Sequence, residues 1–320
     1  MKLKKTESGF GIKKMAENKR YKTFNDELRL RFGCRVQRVS LDAGFSCPNR
    51  DGNVGTGGCT FCTERGSAAV GVQTGLAINQ QLEQSKEYLR GKFRAERFLA
   101  YFQAFSNTYA PPALLKTIYE LPLQDPDIVG LIVGTRPDCL PEPVLELLAE
   151  LHKRTYLWLE IGMQTMHDST LANINRGHNH ACLVDAVKRC KDKGIRVCLH
   201  LILGLQGETR EDMMQSVLEL NRLGVDGVKL HHLHVIRGSI LEQDYLSDNL
   251  RLMERSEYVE LVADVLELIE PQIMIHRLMG DGGSQLVAPD WSRRKLEVLN
   301  LIDNELAKRN SRQGSRLLID

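Results

Sequence analysis

Three cysteines, Cys47, Cys59 and Cys62, lie in the glycine-rich segment CPNRDGNVGTGGCTFC. Thiolates are soft metal ligands, and a centre held by three of them keeps one coordination position for something other than protein. The pattern Cys47-x11-Cys59-x2-Cys62 therefore reads as a reactive cluster site. Cys34 lies upstream, however, and a zinc knuckle of Cys34, Cys47, Cys59 and Cys62 would use the same C-x-x-C pair as one arm. Two details favour the cluster. Glycines 52, 55, 57 and 58 let the loop bend backbone amides toward cluster sulfurs, and Phe61 sets an aromatic ring beside the last ligand.

A scaffold must bring further polar groups to such a centre. After the cysteine segment, short β-branched or aromatic runs alternate with helical periodicities, the pattern of βα units around a parallel sheet. Strands are expected at 36–41, 98–104, 128–134, 156–161, 195–203 and 226–235, and helices at 76–92, 112–121, 141–152, 180–193, 209–223 and 256–269. Gly194 and Gly224 mark helix ends, and Thr209 with Asp212 marks a helix start. Polar residues recur where the strands run into their loops: Gln103, Ser106, Asn107 and Thr108; Thr135, Arg136 and Asp138; Glu160, Gln164 and Thr165. Gly204 and Gly207 follow the fifth strand, and the sixth carries Lys229, His231, His232 and His234. Polar strand ends in register with a cysteine loop point to one shared pocket at the mouth of a barrel-like sheet. Strand alternation puts Lys229 and His231 on one face and His234 on the other. Cys139, Cys182, Cys190 and Cys198 show no ligand spacing and read as small buried residues.

Composition excludes several classes. With 320 residues, 42% hydrophobic, 26% charged and a net charge of +2, the chain is that of an ordinary soluble protein. No apolar run approaches a membrane span and no secretory leader is legible, so a cytoplasmic location and reduced cysteines are expected. Lys2, Lys4, Lys5, Lys13, Lys14, Lys19, Arg20 and Lys22 make the start basic, and Arg293, Arg294, Lys295, Lys308, Arg309, Arg312 and Arg316 form a second basic zone. Such zones attract polyanions such as RNA, although a lysine-rich terminus is also a solvated one.

The cysteine spacing, GTRPDCL, EIGMQT, NINRGHN, KLHHLHVIRGS and HRLMGDG together resemble the radical S-adenosylmethionine superfamily, in the branch that holds the elongator catalytic subunit and the YhcC/YtqA-like proteins. The resemblance runs from about Tyr21 to Leu306, and the long first gap between cysteines departs from the commoner C-x3-C-x2-C. It implies an α/β fold, a partial (β/α)6 TIM-like barrel with short N- and C-terminal extensions. The expected divisions are a basic extension at 1–24, the barrel with its cluster loop at 25–240, and a C-terminal α/β extension at 241–320.

The resemblance also implies a 4Fe-4S cluster on Cys47, Cys59 and Cys62, one iron of which takes S-adenosylmethionine. One electron then yields methionine and a 5′-deoxyadenosyl radical. Phe61, Gln103, Ser106, Asn107, Arg136, Glu160, Gln164 and Gly204 are the implied cofactor contacts, and Lys229, His231 and Arg277 the implied catalytic residues. His276 and Asp281 accompany Arg277. Reduced flavodoxin or ferredoxin is the implied electron donor and tRNA the implied partner. Elongator-type acyl chemistry needs a further domain, and over the residues to Asp320 that activity is not expected. YtqA-like members instead imply conversion of 5-carboxymethylaminomethyluridine to 5-aminomethyluridine at the wobble position, with a carboxylate for Arg136 or Arg277 to hold. Radical chemistry on a small metabolite and a non-catalytic zinc-containing nucleic-acid-binding module remain alternatives.

Overall fold

The computed structural model describes residues 19–66 and 75–317, so the lysines at 2, 4, 5, 13 and 14 of the basic start lie outside the described residues. Six strands form where alternation and β-branched content predict them: Val36–Leu41 (β1), Arg97–Phe102 (β2), Ile128–Thr135 (β3), Tyr156–Gln164 (β4), Val197–Leu203 (β5) and Gly227–His232 (β6). The short strands Val235–Ile236 (β7) and Leu286–Ala288 (β9) pair antiparallel with each other. Met274–Arg277 (β8) is a seventh main strand, from the region expected to be an extension. It joins β6 in parallel and completes the sheet order β1-β2-β3-β4-β5-β6-β8, parallel throughout. With only four residues, MIHR, β8 is at the shortest length at which a period of two is readable, and it does not alternate.

Helices return the chain between strands, and Arg210–Arg222 shows how the sequence starts one. Thr209 Oγ accepts from the Asp212 amide while the Asp212 carboxylate accepts from the Thr209 amide, a reciprocal cap. Gly194 and Gly224, with φ of 72° and 59°, follow two helices as expected. Val39, Leu41, Phe98, Leu131, Leu157 and Leu199 face outward into the main core beneath the helices. None of the described helices is long and apolar enough to cross a membrane.

The sheet curls into a partial barrel, and one ring shows it. Phe24, on the helix Phe24–Phe32, stacks on His276 of edge strand β8 at 4.0 Å and meets Trp158 of central β4 edge-on at 5.7 Å. Thr23 bridges to Ile275, so this helix closes the seam beside β8 and plugs the narrow end with Leu28. Val36, Leu99, Ile132, Trp158, Cys198 and Met274 form the apolar floor around the plug. Two residues further along each strand, alternation brings Arg38, Tyr101, Glu160 and His200 to the same interior. Of the cysteines read as buried, Cys139, Cys190 and Cys198 are so, whereas Cys182 is half-buried on the helix His180–Asp192.

Candidate functional site

β1 ends at Leu41, and the cysteine loop opens at the wide end of the barrel. Position settles the zinc alternative. Cys34 precedes β1 and Cys47 follows it, so a six-residue strand, about 20 Å long, separates Cys34 from the trio.

The loop is folded by its own polar residues and clamped from across the barrel. The Cys47 carbonyl accepts from the Arg50 amide at 2.8 Å, and the Cys59 carbonyl accepts from the Cys62 amide at 3.0 Å. Asn175, in NINRGHN, donates through Nδ2 to the Gly58 carbonyl at 2.8 Å, and its own carbonyl accepts from Asn49 Nδ2 at 2.5 Å. Arg176 is the centre of the clamp and is 6% exposed. Its guanidinium points at Cys59 Sγ (3.5 Å), donates to the Gly162 carbonyl at the end of β4 (2.9 Å) and to His178 Nε2 (2.9 Å). His178 is held neutral, its pKa pushed down to about 3 by burial and by Arg176 and Arg136. A Cβ on Gly162 would sit 2.5 Å from Arg176 Nη2, so only glycine admits the guanidinium there.

Cys59 is buried, and a hydrogen bond from Cys62 holds its thiol well below the ordinary value; burial opposes this, and Arg176 and then Arg136 reinforce it. Asn49 Nδ2 approaches the same sulfur at 3.7 Å. Asn49 Oδ1 and Asn107 Oδ1 are buried with no partner among the described residues. Three thiols, one stabilised as thiolate, with donors aimed at sulfur and polar atoms left open around them, are a donor set that fits an iron-sulfur cluster.

Arg136 is held locally. Its Nε and Nη2 donate to the Asp138 carboxylate at 2.9 and 2.7 Å and its Nη1 donates to the Arg176 carbonyl at 2.8 Å, so three of its five N–H groups are engaged. Gln164 ends β4 in the left-handed region (φ 71°), beside Gly162. Asn107 donates to the Gly134 carbonyl at 2.9 Å, and Ser106 is buried beside it. Gln103 directly follows β2 on the same segment, Gly204 turns at φ 87° over Met253, and Phe61 packs in the apolar cluster of Leu171, Ile202 and Leu205.

Glu160 lies one step down the barrel, two residues before Gly162, and is fully buried in an ion pair with Lys229. His200 Nε2 is 3.1 Å and His276 Nδ1 3.4 Å from its carboxylate, and Lys229 Nζ also donates to Tyr101 OH at 2.8 Å. Burial opposes ionisation of Glu160, but Lys229, then His200 and His276, hold it well below the usual carboxylate range. Burial pushes Lys229 down to about 8, against the pull of Glu160.

The alternation expected for KLHHLH fails at one place. The strand stops at His232, and His234 returns to the side of His231: a Cβ on Gly280 would lie 3.1 Å from His231 Nδ1 and 3.0 Å from His234 Cε1. It is His232 that faces away, against Trp291 at 4.8 Å. The structure thus makes two groupings: the cysteine trio with Asn49, Arg136, Gln164 and Arg176, and the interior set of Glu160, Lys229, His231 and Arg277. Arg176 and Asn49 carry no strand-end signal in the sequence, because neither precedes or ends a strand; Arg176 sits in NINRGHN, which speaks only through the family resemblance.

Replacing Arg176 with leucine removes the cation beside Cys59 and leaves the Gly162 carbonyl unpaired. The expected loss is about 2–3 kcal/mol, read from the denaturant midpoint; an unchanged midpoint would refute the clamp.

The basic zones also separate. Arg20 Nη1 donates to the Ser311 carbonyl and Lys22 Nζ to the Gln272 carbonyl at the narrow end, whereas Arg293 and Arg294 are exposed next to Lys295, which faces Asp281 in the loop after β8. Arg309 and Arg316 face Asp264 and Glu267.

Comparison with known proteins agrees with this architecture. The profile of the Radical SAM superfamily matches residues 50–220, and that of the Radical_SAM C-terminal domain matches 225–308. YtqA of Bacillus subtilis is 44% identical over 297 residues, 92% of each chain. YhcC of Escherichia coli K12 is 39% identical over 296 residues, 92% of this chain and 94% of that one. The solved structure of Elp3 from the archaeon Methanocaldococcus infernus superposes with a TM-score of 0.65 at 17% identity, over 87% of this chain and 64% of its own.

Proposed function

Because the chain belongs to the radical SAM superfamily, we propose that it modifies the wobble uridine of tRNA, converting 5-carboxymethylaminomethyluridine to 5-aminomethyluridine. Enzymes of this superfamily use a 4Fe-4S cluster and S-adenosylmethionine. Cys47, Cys59 and Cys62 are the residues that would hold the cluster, which when bound and reduced supplies the electron that splits the carbon-sulfur bond of S-adenosylmethionine. The observation that carries this reading is the thiol trio at the wide end of the barrel, with Arg176 and Asn49 turned toward Cys59 Sγ.

The rest of the chain positions and shields. Arg176 fixes Cys59 against the end of β4, and the neutral His178 fixes Arg176. Gln103, Ser106, Asn107, Gln164 and Gly204, at the ends of their strands, are the proposed contacts of S-adenosylmethionine. The plug of Phe24 and Leu28 closes the far end to water. Reduced flavodoxin or ferredoxin is the proposed electron donor.

Two features support tRNA: the resemblance to the elongator branch, and exposed Arg293 and Arg294 beside the barrel mouth. A small metabolite is the second reading, favoured by the anchoring of Lys22 and Arg20 at the narrow end, away from the cysteines. Nucleoside mass spectrometry of tRNA from cells lacking the gene decides. Accumulated 5-carboxymethylaminomethyluridine is expected, and an unaltered wobble uridine would sink the assignment. Electrophoretic mobility shift with tRNA should weaken steeply with salt; no binding at low salt favours the metabolite.

A further inference from the structure

Arg38 and Arg277 stand on opposite edge strands, β1 and β8, which the curled sheet brings together around Phe24: Arg38 lies over its ring and His276, next to Arg277, stacks on it. Arg277 is in register with Lys229, and Arg38 lies over the Phe24 ring at 6.0 Å. Burial, and after it the repulsion of Arg38, lowers the Arg277 pKa. Neither guanidinium has a hydrogen-bond or ion-pair partner among the described residues, and Arg38 Nη1 is buried without one. Lys295 completes the group, 37% exposed and 3.7 Å from Asp281. Four cations, Arg38, Lys229, Arg277 and Lys295, thus share a region with two carboxylates, Glu160 and Asp281, of which Glu160 is already committed to Lys229. The surrounding His231, His234 and His276 are neutral, held down mainly by burial, and offer polar nitrogens without charge.

Two repelling guanidinium forks with open donors are costly unless an anion joins them. The fork geometry matches a carboxylate, and Lys295 leaves a path to solvent. We infer that Arg38, Arg277 and Lys295 form a clamp for a carboxylate of the substrate. This rests on the reading above, in which the substrate side chain ends in a carboxymethyl group. Arg136 already commits the Nε side of its fork to Asp138, whereas Arg38 and Arg277 have no carboxylate on theirs.

The test uses the full-length protein loaded with its cluster and two tRNAs, differing only in whether the wobble side chain ends in carboxymethylaminomethyl or aminomethyl. The wild type is expected to bind the carboxylated form roughly 10- to 100-fold more tightly. Arg38→Gln or Arg277→Gln should bring that preference to about unity, with Arg277→Lys intermediate. Full preference in both glutamine variants overturns the clamp and leaves the tRNA reading standing. In a second arm, phenylglyoxal labelling of the wild type is followed by peptide mass spectrometry with sodium acetate as the probe. Acetate should slow labelling of Arg38 and Arg277 but not of exposed Arg251. Protection by acetate without any tRNA discrimination keeps the clamp and discards the tRNA substrate. No protection, or protection by S-adenosylmethionine alone, overturns the assignment to a substrate carboxylate.

Discussion

Cys59→Ala is expected to yield a folded protein that no longer retains iron and no longer cleaves S-adenosylmethionine, a loss of at least ~10³-fold. Its sulfur receives Arg176 and Asn49, so alanine removes both a ligand and the partner of two buried donors. The accompanying cost in stability should be modest, about 1–3 kcal/mol, because the Arg176 bond to the Gly162 carbonyl survives. Iron and sulfide analysis after anaerobic purification, with 5′-deoxyadenosine as product, reads the outcome. Cys34→Ala is the matched control. Lying at the other end of β1, it should keep iron and colour, and a colourless Cys34 variant would restore the four-cysteine site.

Lys229→Met should produce the largest loss of stability. Glu160 is fully buried, and removing its cation strands a carboxylate between two neutral imidazoles, a situation that costs about 3–5 kcal/mol. The pH dependence gives this a signature. In the wild type Glu160 titrates well below the usual carboxylate range, so its contribution is present above the unfolded-state pKa and fades as pH falls through the lower folded value. In the variant, burial without the cation raises the carboxyl's pKa above its unfolded value, so the group takes up a proton on folding and the deficit should shrink as pH falls from 7 toward 5. Chemical denaturation at pH 7 and pH 5 measures it. A deficit that is constant with pH would mean that lost packing, not lost charge, is responsible.

Much of this molecule was legible in its residues because two periodicities are strong. Strands of six to nine residues with β-branched and aromatic content announced themselves, as did helices opened by Thr209 or closed by Gly194. The cysteine trio was legible because thiols at that spacing have few other uses. What escaped had physical causes. β8 is four residues long, and its membership of the sheet depends on pairing with β6, not on local pattern. His234 was misplaced because alternation ends where the hydrogen-bond ladder ends, at His232. Glu160 stands at a strand position suited to a cofactor contact, but its partner Lys229 is 69 residues away, and no spacing rule reports a pairing that only closure of the barrel creates. Arg176 was hidden for the same reason, since the sulfur it supports is 117 residues earlier.

The seam of the barrel ties together parts of the chain that are made at very different times. Gln313 accepts from the Lys22 amide and donates to the Glu270 and Ile273 carbonyls on either side of the approach to β8, while Thr23 bridges to Ile275. During synthesis, the helix that plugs the narrow end leaves the ribosome about 250 residues before β8, the strand it closes against, since Thr23 pairs with Ile275. The cysteine segment emerges in the interval, before its arginine support exists. A nascent chain therefore carries three thiols in a loop without its brace until Arg176, 117 residues after Cys59, has been made.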